Sequence, residues 1–266
     1  MAILTISRQI GSIDKEITQS MGRLWHYEYI DRQKILNDMS AQGDRWGEWG
    51  KDFDEHYPGI WERFDRSFAG FVALNQSLIL NYALKDNVII VGRGGNFLLK
   101  EVPFSLSVRI VAPLEQRLDA IMKRENLSKS AAELFVKKVD KEMTRAVHFI
   151  YGTNIDEPSA YDLFFDVGVL PVHEVMAAIR AALLEKDKLK TEDAVQALRM
   201  KALAKKVKAG IVTHPKLFLP VFDVVPGKDK LLITGIVHNP EEHKKVESAV
   251  KDLAGAVSVE FALHYR

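Results

Sequence analysis

The chain has 266 residues, 47% of them apolar and 27% charged, an ordinary globular composition with room for one large domain and a small one. It contains no cysteine, which excludes a disulfide framework, a thiolate metal site and a cysteine nucleophile. Its net charge of +1 supplies no global field to recruit nucleic acid or a membrane surface.

The start of the chain, Met1-Ala2-Ile3-Leu4-Thr5-Ile6, lacks the basic opening and long apolar stretch of a signal peptide, and no run approaches the roughly 20 apolar residues of a membrane helix. A cytoplasmic protein without integral membrane contact is therefore expected. Residues 2–6 read as a strand, Gly11-Ser12 as a turn, and 14–24 as a helix. Residues 27–30 form a second short strand, after which Asp31 is placed to cap a helix that starts at Arg32. The stretch 43–58, rich in Gly, Trp and charge, reads as a loop or lid, and 59–84 as a long helix. Val88-Ile89-Ile90-Val91 is a continuous apolar run that suits a buried parallel strand, and 106–111 is expected to repeat that pattern. Helices follow over 114–125 and 128–148, then a strand at 163–167 and a helix at 173–189. Strands alternating with helices predict an α/β fold with a doubly wound parallel sheet.

Composition turns charged near 186–191, and we place a domain boundary at 188/189. Between Lys186 and Lys216 nine Lys or Arg stand against three acids, a pattern read as a solvated helix face and linker. The remainder is expected as a helix over 191–211, strands at 221–225 and 231–237, a helix capped by Asn239 with Pro240 at its first position, and a last strand at 256–263. The order α-β-β-α-β makes a complete small second domain.

A strand, a Gly-containing turn and a helix can present main-chain N–H groups and a helix dipole to a phosphate. The segment Ile6-Ser7-Arg8-Gln9-Ile10-Gly11-Ser12-Ile13-Asp14-Lys15 occupies that position but lacks the full G-x-x-x-x-G-K-[ST] pattern, and a plain strand-to-helix turn accounts for it equally well. A larger pattern adds weight. "TISRQIGS…KEI", "YEYIDRQKIL", "VIIVGRGGNFLL", "VRIVAPLEQRLDAIMKRENLS", "DKEMTRA…YG" and "DEPSAYDLFFDVG" follow one another in the order expected of the cytidylate kinase-like family, relatives of the P-loop nucleoside monophosphate kinases, and residues 3–170 resemble that family.

The resemblance implies a nucleotide-binding kinase fold over 1–188, with ATP and Mg²⁺ as cofactors and phosphoryl transfer to a nucleoside monophosphate as the family activity. It implies a phosphate loop from Ser7 to Lys15, with Arg8, Gly11, Ser12 and Lys15 facing phosphate. Asp31 and Arg32 would open the acceptor region, joined by Arg93, Arg117 and Arg124, the last two at a helical spacing of seven. Lys137, Lys141 and Arg145 would sit on a lid-like helix, with Lys15, Lys141 and Arg145 as the catalytic cations. Arg117, Arg124, Lys137 and Lys141 also read as ordinary solvated helix residues.

The chain departs from the family where a glycine pair normally follows Gly-Ser, for Ile13 and Asp14 stand there. A β-branched residue resists positive φ, and a carboxylate about 4 Å from a phosphate would cost on the order of 4 kcal/mol at an effective dielectric near 20. Two functional classes follow: an ATP-dependent kinase, or a catalytically inactive nucleotide or small-ligand sensor that signals through the C-terminal domain. A third, purely structural reading is disfavoured by Lys15 and Arg93.

Trp46, Trp49, Tyr57 and Trp61, interleaved with Arg45, Lys51 and Arg63, are expected to anchor a loop to the core or a second subunit rather than to stack a base. The eight histidines show no ligand spacing, so no metal site is expected from them. "LLITGIVHNPEEHKKVESAVKDLAGAVSVEFAL" resembles a BON-type module, which implies ligand sensing or assembly into a homodimer. The expected partner is a nucleotide or other phosphorylated small molecule, not nucleic acid.

Overall fold

The computed structural model describes residues 1–13, 15–43, 45–48, 66–92 and 94–266. Asp14, Arg93, most of the expected lid and the first residues of the 59–84 helix, with Trp49, Tyr57 and Trp61, lie outside that set. The chain divides into two compact units, one made of Met1–Lys34 and Lys85–Lys190, the other of Ile35–Leu84 and Thr191–Arg266.

The first unit is built on a five-stranded sheet of order β2-β3-β1-β4-β5, with β1 Ile3–Arg8, β2 Glu28–Ile30, β3 Val88–Val91, β4 Ser105–Val111 and β5 Leu163–Asp166. Every pairing is parallel, as the alternation of strand and helix predicts. Helices α1 (Lys15–Trp25) and α2 (Arg32–Ala41) follow β1 and β2. The Asp31 carboxylate accepts from the Lys34 N–H at 3.1 Å, which makes it the expected cap of α2.

One sheet face carries the core. Leu4, Ile6, Ile89, Val91, Leu106, Val108 and Ile110 pack with Met21 and Trp25 of α1 and with Val175, Ile179 and Leu183. The other face differs from the sequence expectation of a strand at 106–111 that is apolar on both sides. In β4, Ser105, Ser107 and Arg109 alternate with the apolar set, and the register sets Thr5 against Ser107 and Ser7 against Arg109. Thr5, Ser7, Ser105 and Arg109 of this polar seam are buried, and Ser107 is half-buried.

The second unit begins within α2, at Ile35, and takes in the long helix read over 59–84, of which Arg66–Ala83 is described as α3. α3 is buried nearly all round, polar residues Asn75, Gln76 and Ser77 included. That helix belongs by its contacts with Thr191–Arg266, although composition gives no hint of the exchange. In chain order the first unit continues with the short helix α4 (Gly95–Leu98), then α5 (Leu114–Glu125), α6 (Lys129–Tyr151) and α7 (Val172–Asp187). α6 outruns its expected end at 148 until Gly152 stops it in the left-handed conformation.

The C-terminal portion has the expected α-β-β-α-β order: α8 Glu192–Val212, β6 Phe222–Pro226, β7 Lys230–Val237, α9 Pro240–Ala254 and β8 Ser258–Tyr265. Thr191 and Asn239 cap the two helices, each accepting from a main-chain N–H three residues on. The sheet order is β6-β7-β8, antiparallel then parallel. Its core face meets Val207 and Ile211 of α8 and Val246 and Val250 of α9.

Arg66, at the start of α3, donates from Nε to the Val212 carbonyl at 3.2 Å and from its other arm to the His214 carbonyl. These are carbonyls at the end of α8, where a cation also meets the negative end of the helix dipole. Arg66→Ala should lower stability by about 1–2 kcal/mol in chemical denaturation. An unchanged midpoint would show that this guanidinium holds nothing.

Candidate functional site

The bend after β1 is shaped by internal contacts. The Gln9 N–H donates to the Ile110 carbonyl at 3.0 Å, and its side-chain oxygen accepts from the Ala112 N–H at 3.3 Å, so the turn stays attached to β4. Gly11 has φ 77°, and a Cβ there would lie 2.8 Å from the Arg117 carbonyl oxygen, so only glycine fits between the turn and α5. The Ser12 N–H donates to the Gln9 carbonyl at 3.2 Å. Its hydroxyl lies 2.8 Å from the Gln9 carbonyl and 3.2 Å from that of Ile110, so it faces inward. Ile13 is 4% exposed and belongs to the core beneath the sheet. Its φ is not positive, so this turn avoids the strain that a glycine-rich path would impose on a β-branched residue. The Arg8 guanidinium closes the bend by donating to the Ile13 carbonyl.

Lys15 opens α1, and its Nζ lies 2.7 Å from Oδ2 of Asp31 at the end of β2. The lysine side chain is 48% exposed and the aspartate 17%. The hydrogen bond to Asp31 is the main reason the Lys15 ammonium is held above its ordinary value. Burial pushes the Asp31 carboxyl up, but the Lys15 hydrogen bond and the Lys34 N–H together bring it below the usual range. Asp31 therefore contributes stability above about pH 4 that is lost as pH falls through its lowered value. Lys15 contributes below about pH 10 and is lost above that. The pair stays ionised through the neutral range.

The structure brings together Arg8, Gly11, Ser12, Lys15 and Asp31 at the carboxyl edge of β1 and β2, where open α/β sheets take ligands. Arg32 follows as the exposed first residue of α2. Arg117 supports the bend from behind: it is buried, and its Nη1 lies 2.8 Å from the Asp140 carboxylate of α6. Arg124, one face-repeat further along α5, is exposed and pairs with neighbouring Glu125 at 2.7 Å. Lys137 pairs with Glu133 on the surface of α6 at 2.6 Å. Lys141 and Arg145 are exposed on α6 and meet no carboxylate among the described residues. No described contact links these four side chains to the bend. Arg93 and Asp14 lie outside the described residues.

Sequence reasoning passed over a polar cluster on the second sheet face, built around the buried Ser7 and Arg109. Arg109 donates to the Ser7 hydroxyl at 2.9 Å and to the Asp156 carboxylate at 2.6 Å, while the Tyr161 hydroxyl donates to the Ile155 carbonyl at 2.7 Å. Burial pushes the Tyr161 phenol up, against the opposing pull of Ser7 and Arg109. The strict alternation Ser105-Leu106-Ser107-Val108-Arg109-Ile110 was the available signal. Among the described residues no group of three His, Asp or Glu is placed to hold a metal, and no helix is long and apolar enough to cross a membrane.

Known proteins agree with this architecture. Residues 3–169 match the Cytidylate kinase-like family. The chain is 24% identical over 183 residues to a cytidylate kinase of Pyrococcus abyssi, covering 68% of this chain and 93% of that one. It is 26% identical over 186 residues to a cytidylate kinase of Methanocaldococcus jannaschii, covering 68% and 97%. A solved structure of a protein from Eubacterium ventriosum superposes with a TM-score of 0.54 at 17% identity, covering 69% of this chain and 98% of that one. With a parallel 2-3-1-4-5 sheet and a match over more than half its length, the chain belongs to the Cytidylate kinase-like family and has a nucleotide kinase fold.

Proposed function

We propose that this chain binds a nucleoside phosphate at the bend after β1 and has lost turnover, so that it acts as a nucleotide sensor. The observation that carries this reading is the Lys15–Asp31 pair at 2.7 Å: a charged, half-exposed ammonium at the first turn of α1, available to a phosphate that can outcompete one carboxylate. Arg8 and the main chain around Gly11 and Ser12 would complete the contact. The family uses ATP and Mg²⁺ in general, but the described residues do not fit a protein-held Mg²⁺. The Ser12 hydroxyl is turned onto carbonyls and Asp31 is engaged by Lys15. The closed bend over Ile13 points the same way.

We take residues 1–188 as the nucleotide-binding domain, although 35–84 groups by its contacts with the C-terminal portion, and 189–266 as a BON-like domain that reports the bound state. The end of α7 at Asp187 and the Thr191 cap of α8 support that boundary, and the α-β-β-α-β order supports the second assignment. A cytoplasmic location suits a nucleotide ligand.

A second reading, ATP-dependent transfer to a nucleoside monophosphate, is favoured by one observation. Lys141 and Arg145 stand exposed and unpaired among the described residues on α6, as a lid over a transferring phosphate would require. Asp31, Arg32, Arg93 and Arg124 would then serve the acceptor, and Arg117 could join only by leaving Asp140.

Thermal shift with ATP, CTP and CMP, with and without Mg²⁺, separates these readings. A ligand at 100 times its Kd should add about 2.7 kcal/mol of stability. Lys15→Ala should weaken that ligand at least about tenfold, the loss of one charge-assisted contact. No shift with any nucleotide sinks the binding reading. Production of ADP from ATP and CMP replaces the sensor by the kinase.

A further inference from the structure

The two edges of the C-terminal sheet are built differently. β6 is five residues long and ends in Pro226, and its Asp223 carboxylate turns back onto the Val224 N–H at 2.9 Å. These are devices that discourage strand addition. β8 runs eight residues, Ser258–Tyr265, with no proline, glycine or lysine, and among the described strands it pairs only with β7. Among the described residues no main chain bonds to its outer edge. A long unprotected edge is a template for another strand.

The sequence of β8 suits its own copy. Pairing with β7 sets Val259 beside Leu231 and Phe261 beside Ile233, both on the core side, so Val259, Phe261 and Leu263 share the helix-covered face. Glu260, Ala262 and His264 then occupy the open face. An antiparallel self-pairing keeps apolar face with apolar face only if the two-fold axis passes through a residue rather than between residues. Centred on Ala262, it sets Glu260 opposite His264 of the second copy, Phe261 opposite Leu263 and Val259 opposite Tyr265. Centred on Phe261 instead, it sets Glu260 opposite Ala262 and loses the polar pair. Glu260 and His264 are both exposed, and Glu260 meets Lys230 only on its β7 side.

We propose that β8 pairs antiparallel with β8 of a second copy about a two-fold axis at Ala262, joining the two three-stranded sheets into one of six strands. Glu260 and His264 supply complementary groups twice, once on each side of the axis. This assembly is independent of nucleotide binding.

The test uses the full chain in sedimentation equilibrium, with thermal melts by circular dichroism as the check on folding. The wild type should dimerise with a micromolar Kd. Ala262→Lys, on the open face and at the axis, sets two like charges against each other and should weaken the dimer at least about tenfold without lowering the melt. His264→Glu places a carboxylate opposite Glu260 and should weaken it about tenfold. Adding Glu260→Lys to that variant should restore affinity to within about threefold, since a lysine then faces the new carboxylate. A wild type that stays monomeric through the micromolar range overturns the proposal, as does a dimer indifferent to Ala262→Lys. Failure of that double variant to recover overturns the register.

Discussion

Ile13→Ala should lower the stability of the first unit by about 3 kcal/mol, a drop of about 8 °C in melting temperature for a unit of this size. The side chain is 4% exposed and packs in the cluster that joins β1, β3 and β4 to α1 and α7. Truncation removes its transfer free energy and leaves a cavity under the turn, which Gln9 and Gly11 hold in place from β4 and α5. This changes how the missing glycine pair should be tested. Replacing Ile13 and Asp14 together with glycines removes a charge, but it also empties a core position and adds backbone freedom. Loss of fold would then mask any gain in phosphate affinity. Asp14→Asn with Ile13 retained isolates the charge without adding backbone freedom, and it should tighten nucleotide binding. If Ile13→Ala leaves the melting temperature unchanged, the turn is not part of the core, and the account of a closed bend fails with it.

What could be read in the sequence was local. The cap of α2 by Asp31 and that of α9 by Asn239 follow from a side-chain oxygen three residues before the N–H it accepts, so a short window contains both partners. The apolar run of β3 and the alternating pattern of β7 are likewise windows of a few residues. The conflict at Ile13 was legible as steric chemistry, but its resolution required knowing that the side chain turns into the core. Other features join residues far apart in the chain, where no pattern links them. Arg109 meets Ser7 from 102 residues away, and Arg66 meets the end of α8 from 146. The grouping of α3 with the C-terminal portion is of the same kind. Lys15 and Asp31 were each named as site residues on resemblance; that each holds the other depends on the parallel arrangement of β1, β3 and β2, which brings the ends of β1 and β2 to one edge.

Asp140→Ala should cost about 3 kcal/mol, whereas Arg117→Met should cost about 1 kcal/mol or less, although both break the same ion pair. The asymmetry comes from burial. The Arg117 side chain is 8% exposed and that of Asp140 33%. Among the described residues, the guanidinium without Asp140 keeps only a long contact of 3.5 Å to the Ile10 carbonyl, and its Nε is already buried with no partner. Methionine has a similar reach and needs no partner, so it removes the charge together with the demand for compensation. Asp140, being partly exposed, rehydrates when its partner is lost. The double variant should therefore be about as stable as Arg117→Met alone, a coupling visible in chemical denaturation of the four proteins. The same comparison decides what Arg117 is for. An arginine that serves a ligand must be able to leave its carboxylate, and Asp140→Ala would then be cheap in stability and would change nucleotide affinity. An arginine that braces the turn at Gly11 gives the large stability loss, and the closed bend depends on it.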